Sequence, residues 1–473
     1  MGPSDRLFLL SVLSLASVSV PGDPCAFKAK DVAPEPRCVY RAPEGDAPDD
    51  ATDEPAPQAT NPRVWELSAA NARFALSLYR QVAFGRTPDT NLFLSPLGVS
   101  VAFSMTKLAA CGHTLEEITK VLQLDSVSDK TSDRVHFYFA KLLCRLRRRK
   151  DASARLLVAN RLFGDRTLRL DAAYQNVSRR VYGADVMALD FRGDPEASRA
   201  AINAWVANET KNHIRDALPA GAIGEDAVLV LVNSIYFKGR WQNEFHRDDV
   251  YVARFHVDAG RRCSVRMMYQ ENKFRYARLP ERRLRLLEMD YRGRDVALTL
   301  LLPDEGNALA QVEAELELPT LNAWLDKMAE TTVSVHLPRF RLEESVGLKE
   351  ALNALGLRSV FSPQNASLPG LLADGGEGVY ISDAFHKAFL EVRHSSALRS
   401  VASEGACPLT RVRSQVNELG SEASASSAAV ASGRSIDLDA EVFAADRPFL
   451  LLIRETALDA VLFVGRVARP CQS

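Results

Sequence analysis

The stretch Ser421–Phe443 reads SEASASSAAVASGRSIDLDAEVF, and its reading decides the rest of the chain. From Ser421 to Gly433 every residue except Glu422 and Val430 is Ala, Ser or Gly, and a single cation, Arg434, then breaks the run. With a period of two, Ser421, Ala423, Ala425, Ser427, Ala429 and Ala431 share one face, and Glu422, Ser424, Ser426, Ala428, Val430 and Ser432 share the other. A strand with one uniformly small face can enter between two existing strands without overpacking the core beneath. A flexible Ala/Ser linker is the plainer interpretation, so the neighbouring segments have to decide.

Those neighbours are strongly apolar. PFLLLIRE (Pro448–Glu455) and DAVLFVGRV (Asp459–Val467), parted by Thr456–Leu458, form the pattern of a buried closing hairpin. Upstream, AVLVLVNSIYFKG (Ala227–Gly239), ALTLLLP (Ala297–Pro303) and TVSVHLPRF (Thr332–Phe340) are β-rich runs. From Val64 to about Lys150 the pattern is mostly helical, and Ser95-Pro96 is placed to start a helix. Helices first and strands later imply an α+β fold.

Arg6 followed by the apolar run Leu7–Val20 is too short to span a bilayer and has the form of a cleaved secretory signal over residues 1–20. No later run is long enough for a transmembrane helix. The acidic, Pro-rich segment Pro43–Thr60 cannot fold alone. It reads as a tether within an extension at 21–63, ahead of a main domain at 64–473. With 47% hydrophobic residues, 25% charged and a net charge of −1, the chain can bury a large core. It has no global attraction for nucleic acid or membrane, so a polyanion site has to come from a local cluster.

Export makes disulfides the expected state of Cys25, Cys38, Cys111, Cys144, Cys263, Cys407 and Cys471. Seven is odd, and spacing alone leaves the pairing open. There is no CxxC or HExxH pattern, so no metal site is expected. Sequons at Asn176, Asn208 and Asn365 fit glycosylation of a secreted surface. No catalytic motif is complete: Gly98-Val-Ser100-Val-Ala102 lacks the final glycine of a nucleophile elbow, and no phosphate-binding loop follows a strand. This favours a binding or inhibitory protein over a hydrolase.

One helix carries a local charge cluster. Between Thr131 and Lys150, Val135, Phe139, Leu142 and Leu146 make an inward stripe, while Lys141, Arg145, Arg148 and Arg149 lie on another. A solvated face would explain isolated charges. RLRRRK (Arg145–Lys150), however, concentrates like charge that costs stability until an anion neutralises it.

Taken together, PFLLLIRE, FVGRVARP, NSIYFKGRW (Asn233–Trp241) and NLFLSP (Asn91–Pro96) closely resemble the serpin family, over nearly all of Val64–Ser473. The resemblance implies about nine helices around three β-sheets, with the small-residue arm as an exposed reactive-centre loop. A protease cuts such a loop, which then inserts as a new strand of the main sheet while the acyl-enzyme is intact. The match narrows to a heparin-activated coagulation inhibitor, through Lys130–Leu146, Asn61–Ser68, Ser382–Val392 and Gly433–Ser435. It implies a reactive bond at Arg434–Ser435, an arginine suited to the acidic pocket of trypsin-like proteases such as thrombin and factor Xa. The target brings the catalytic groups, so no triad and no catalytic cofactor are expected.

The same resemblance implies a hinge at Glu418, Gly420, Ser421 and Ala423, and the disulfides Cys25–Cys144, Cys38–Cys111 and Cys263–Cys471. Ser95, Asn203 and His386 match a buried shutter, and Trp205 and Trp241 read as core packing. Heparin or heparan sulfate would be held by Lys28, Lys30, Arg63, Lys130, Phe137, Lys141, Arg145, Arg148 and Arg149, through Arg forks and Lys charges that salt weakens. Pro62, Tyr138, Arg147 and Lys150 depart from that pattern. The resemblance further implies a secreted plasma glycoprotein, mainly monomeric. One segment breaks the match: Arg393–Val416, polar, Ser-rich and carrying Cys407, separates strand from hinge and has the composition of a disordered loop, as a retained intronic stretch or an imperfect gene model would leave. Loop-length costs grow logarithmically, so folding should survive it. Slower insertion would instead leave a heparin-binding or carrier serpin that is cleaved as a substrate.

Overall fold

The computed structural model describes residues 61–127, 134–147, 154–306, 308–376, 378–391 and 440–472. In chain order the first elements are α1 (Pro62–Phe84), β1 (Leu92–Leu94), α2 (Pro96–Lys107), α3 (Gly112–Val121), α4 (Val135–Arg147), β2 (Ala154–Asp165), α5 (Ala172–Tyr182), β3 (Val186–Leu189), α6 (Pro195–Glu209) and β4 (Leu229–Gly239). There follow β5 (Val250–His256), β6 (Arg262–Leu279), β7 (Leu284–Asp290), β8 (Val296–Pro303), α7 (Leu309–Ala314), α8 (Leu318–Leu325) and β9 (Ala329–Pro338). The last are β10 (Leu342–Gly347), α9 (Lys349–Ala354), β11 (Ile381–Glu391), β12 (Glu441–Ala444), β13 (Phe449–Glu455) and β14 (Ala460–Val467).

Local chemistry sets the helix starts. Asn61, Ser95, Asp171 and Asp194 each accept a hydrogen bond from a backbone N–H of the first turn, and Pro follows the cap in α1, α2 and α6. Helix α2 has every residue buried, so it is the central helix rather than an amphipathic surface one.

The described strands form two hydrogen-bonded sheets. The smaller has five strands in the order β10-β11-β4-β2-β3. The larger has nine: β1-β14-β13-β8-β7-β6-β9-β12, with β5 pairing to β6. Three sheets were expected, and the larger unit contains two of them joined through long strands. The start of β6 (Arg262–Met268) pairs with β5 and its end (Arg275–Leu279) with β7, while β9 pairs along the middle, Met267–Tyr276, and so overlaps both. The hairpin β13/β14 is buried at every position, as its unbroken apolar pattern requires. Gly465 in β14 is forced by close approach, because a Cβ there would collide with the carbonyl oxygen of Leu92 on β1.

The five-stranded sheet is covered on both faces. Along β4, Leu229, Leu231 and Ile235 join the main core, while Val230, Val232 and Tyr236 join a second cluster under α6, with Ile202 and Val206. Burial on both sides explains why Ala227–Gly239 reads as a continuous apolar run rather than an alternating one.

Candidate functional site

At the centre of the five-stranded sheet, β11 and β4 are parallel neighbours, paired from Ile381↔Leu229 to Glu391↔Lys238. Strand β11 ends at Glu391 in this sheet, and β12, the next described strand, belongs to the other sheet. In chain order the arm lies between a strand of one sheet and a strand of the other. A segment folding back from the end of β11 would run antiparallel to both β11 and β4. It could then satisfy the ladder groups of each, in a pairing slightly more stable per residue than the parallel one it replaces. The arm itself, with Glu418, Gly420, Ser421, Ala423, Arg434 and Ser435, lies outside the described residues, as does the segment 393–416.

A buried polar relay crosses this seam. The Ser95 N–H donates to His386 Nε2 at 2.9 Å, and His386 Nδ1 meets Asn233 Oδ1 at 2.5 Å. Asn233 Nδ2 in turn donates to Asn160 Oδ1, and Ser95 Oγ donates to the Leu462 carbonyl at 2.7 Å. The strand register places these residues directly opposite one another, His386↔Asn233 and Asn233↔Asn160. Only one tautomer fits: Nε2 accepts from Ser95, so Nδ1 carries the proton. Burial pushes the His386 imidazole down to about 3, which keeps it neutral and suited to this chain of donors. Gly98 on α2 leaves the room this requires, since a Cβ there would lie 2.6 Å from Asn233 Nδ2. Opening the seam breaks the His386–Asn233 bond, which joins β11 to β4, and each buried group left unpaired costs about 1–3 kcal/mol.

Asn203, also expected in the shutter, sits on α6, which covers this sheet: its buried side chain donates to the Leu218 carbonyl and accepts from the Leu218 N–H, at 3.0 and 2.9 Å. Asn233 and Asn160, which the sequence reading did not single out, join Ser95 and His386 in the relay. The available signal was a lone Asn inside the otherwise apolar stretch Leu229–Phe237.

Helix α4 keeps the stripes expected of it. Val135, Phe139, Leu142 and Leu146 are buried, Lys141 is half-buried and Arg145 is exposed. The Lys141 ammonium lies 5.1 Å from the Phe137 ring centroid, a cation–π contact that fixes its direction. Arg145 is not a bare charge, because its Nε contacts Glu455 Oε1 at 2.9 Å and ties the helix to the end of β13. Arg63, at the start of α1, pairs with Glu66 at 2.6 Å. Lys28, Lys30, Lys130, Arg148 and Arg149 lie outside the described residues.

Cys263 and Cys471 form a disulfide that ties the chain end to β6. Cys111 and Cys144 are also disulfide-bonded. The partners that the resemblance gives them, Cys38 and Cys25, lie outside the described residues, as does Cys407. Asn176, Asn208 and Asn365 are all exposed. Trp241 is buried and stacks on Tyr291 at 4.5 Å, and Trp205 packs edge-on against Phe163 at 5.4 Å, so both serve packing.

Seam, arm and two-sheet architecture define a class. The family model described as serpin (serine protease inhibitor) matches residues 69–470, and the chain belongs to the serpin family. Within it, the chain is 46% identical to antithrombin-III of Homo sapiens, covering 98% of this chain and 97% of that protein. It is equally 46% identical to antithrombin-III of Mus musculus, with the same coverage. Among solved structures, that of uncleaved ovalbumin matches with a TM-score of 0.74 at 27% identity, covering 86% of this chain and all of that one. Among the described residues, no helix is long and apolar enough to cross a membrane, and no group of three or more metal-ligating side chains is gathered.

Proposed function

We propose that this serpin is a secreted plasma inhibitor of trypsin-like coagulation proteases, thrombin and factor Xa, and that heparin-like glycosaminoglycans activate it. The observation that carries the reading is the 46% identity to antithrombin-III along 98% of the chain. A protease attacks the Arg434–Ser435 bond, Arg434 filling its acidic pocket. The hinge Glu418–Ala423 then enters between β4 and β11, and the run of small side chains lets the new strand settle without displacing the packed layers on either face. The relay through His386 and Asn233 holds the seam until that moment. The chain contributes bait, seam and stored strain, and the target brings the catalytic groups.

Heparin is proposed to lie along α4 on Lys141, Arg145, Arg148 and Arg149, with Lys130, Phe137, Arg63, Lys28 and Lys30 flanking it. The fit is supported by the exposed Arg145 and the oriented Lys141. Disulfides Cys25–Cys144 and Cys38–Cys111 would bring the extension at 21–63 to this helix. Glycans are proposed at Asn176, Asn208 and Asn365, whose exposure permits them.

The test is kinetic. Thrombin inactivation by the intact protein should be accelerated by heparin. Arg434→Ala should abolish inactivation with and without it, and Lys141→Ala with Arg149→Ala should remove only the acceleration. Inactivation that survives Arg434→Ala would place the reactive bond elsewhere, and acceleration that survives the helix variants would refute the α4 site.

A further inference from the structure

A second cationic surface lies away from α4, on the hairpin of β5 and β6. Its inner face is apolar: Phe255, Val265 and Met267 are buried. The residues between them point outward. Register pairs Val252 with Arg266, Arg254 with Ser264, and His256 with Arg262. All six are exposed, Val252 at 74%. At each step of about 6.8 Å along the ribbon, two residues of strand, at least one cationic or imidazole side chain faces solvent.

The nearby carboxylates are engaged elsewhere. Asp258 and Asp89 are held by Arg261, at 2.5 and 2.8 Å. Asp446 pairs with Arg447 at 2.6 Å, and its field acts on Tyr251 and His336. Tyr251 falls on the other alternation of β5. Among the described residues, Arg254, Arg262 and Arg266 make no ion pair. Three unneutralised guanidiniums on one short ribbon repel each other, a cost removed by an anion.

We propose that this face of the β5/β6 hairpin is a second binding site for a linear sulfated polysaccharide. Regular cation spacing with a single small apolar side chain favours a polyanion over a protein, whose interfaces centre on aromatic anchors with charge kept to the rim. Arg forks suit sulfate as they suit phosphate. The choice of a sulfated sugar among polyanions rests on the heparin reading of α4, while the residues are separate from it. The larger sheet that holds the hairpin also holds β12, which begins at Glu441, a few residues beyond Arg434–Ser435. A sulfated chain here would therefore lie in the sheet that anchors the end of the reactive loop.

The test uses full-length protein and unfractionated heparin, with the association constant followed against salt. One variant carries Arg254→Ser, Arg262→Ser and Arg266→Ser, a second Lys141→Ala, Arg148→Ala and Arg149→Ala, and a third all six. The α4 variant should keep a weaker affinity, and adding the three hairpin substitutions should lower its log–log salt slope by about 2.7, at about 0.9 per released counter-ion for three cations. The sixfold variant should therefore bind more weakly than the α4 variant, with an unchanged thermal midpoint. Equal residual binding by the α4 and sixfold variants overturns the proposal. An α4 variant that binds as the unsubstituted chain does would sink the α4 reading while leaving the hairpin on trial. Unchanged heparin binding by the hairpin variant, with slower heparin-free protease capture, would make the face a protein-docking surface and also overturn it.

Discussion

Acid should loosen the seam through one residue. His386 is fully enclosed, accepts from the Ser95 N–H and bonds to Asn233, and burial pushes its imidazole from an ordinary 6.5 to about 3. The native state therefore stays unprotonated while the unfolded chain takes up a proton below about pH 6.5. Stability from this group is undiminished above pH 6.5 and is lost progressively as pH falls from there toward 3. Between pH 7 and pH 5 the unfolded state gains about 2 kcal/mol from protonation at this one position. Protonation in place would also turn Nε2 into a donor facing the Ser95 donor. The assay is urea unfolding at pH 7 and pH 5 for the unsubstituted protein and for His386→Gln. The variant should be less stable at pH 7, from orphaned partners, but its loss between the two pH values should be smaller by about 2 kcal/mol. His136, buried on α4 and also pushed down by burial, contributes its own loss in both proteins and cancels in the difference. An equal pH loss in the two proteins would refute the neutral-relay account.

Other consequences are simpler. Arg145→Ala should lower stability by roughly 1 kcal/mol in thermal unfolding, because Glu455 loses a half-exposed partner. Its Oε2 still accepts from the Leu458 N–H at 2.7 Å, so a larger loss would point to a wider rearrangement. Cys471→Ser opens a link between positions 208 residues apart and should cost about 2–5 kcal/mol, read as a fall in thermal midpoint. Gly465→Ala should reduce the yield of folded protein sharply, since the new methyl meets the Leu92 carbonyl of the backbone and no side chain can yield.

Much of this architecture is legible in the chain because its signals are local. The Ser95 cap, the closing hairpin Pro448–Val467 and the inward stripe of α4 depend on residues within a few positions of each other, and periodicity finds them. The shutter is only half legible. Ser95, Asn203 and His386 follow from the resemblance, but the Asn233 partner of His386 depends on strand register, which joins residues 153 apart. The Arg145–Glu455 pair spans 310 positions and leaves no sequence signal. The same holds for the arginines of the hairpin. Their separation onto one exposed face emerges once β5 and β6 are paired, since Arg254 and Arg262 belong to different strands.

The central claim is that cleavage at Arg434–Ser435 traps the protease rather than releasing it, despite the segment 393–416. The direct measurement is to incubate purified protein with thrombin, with and without heparin, and resolve the mixture on a denaturing gel, with mass spectrometry of residues 382–447. The account predicts a detergent-stable complex carrying the segment, formed faster with heparin. Cleavage at Arg434 without that complex would contradict it and leave a heparin-binding serpin that is only a substrate.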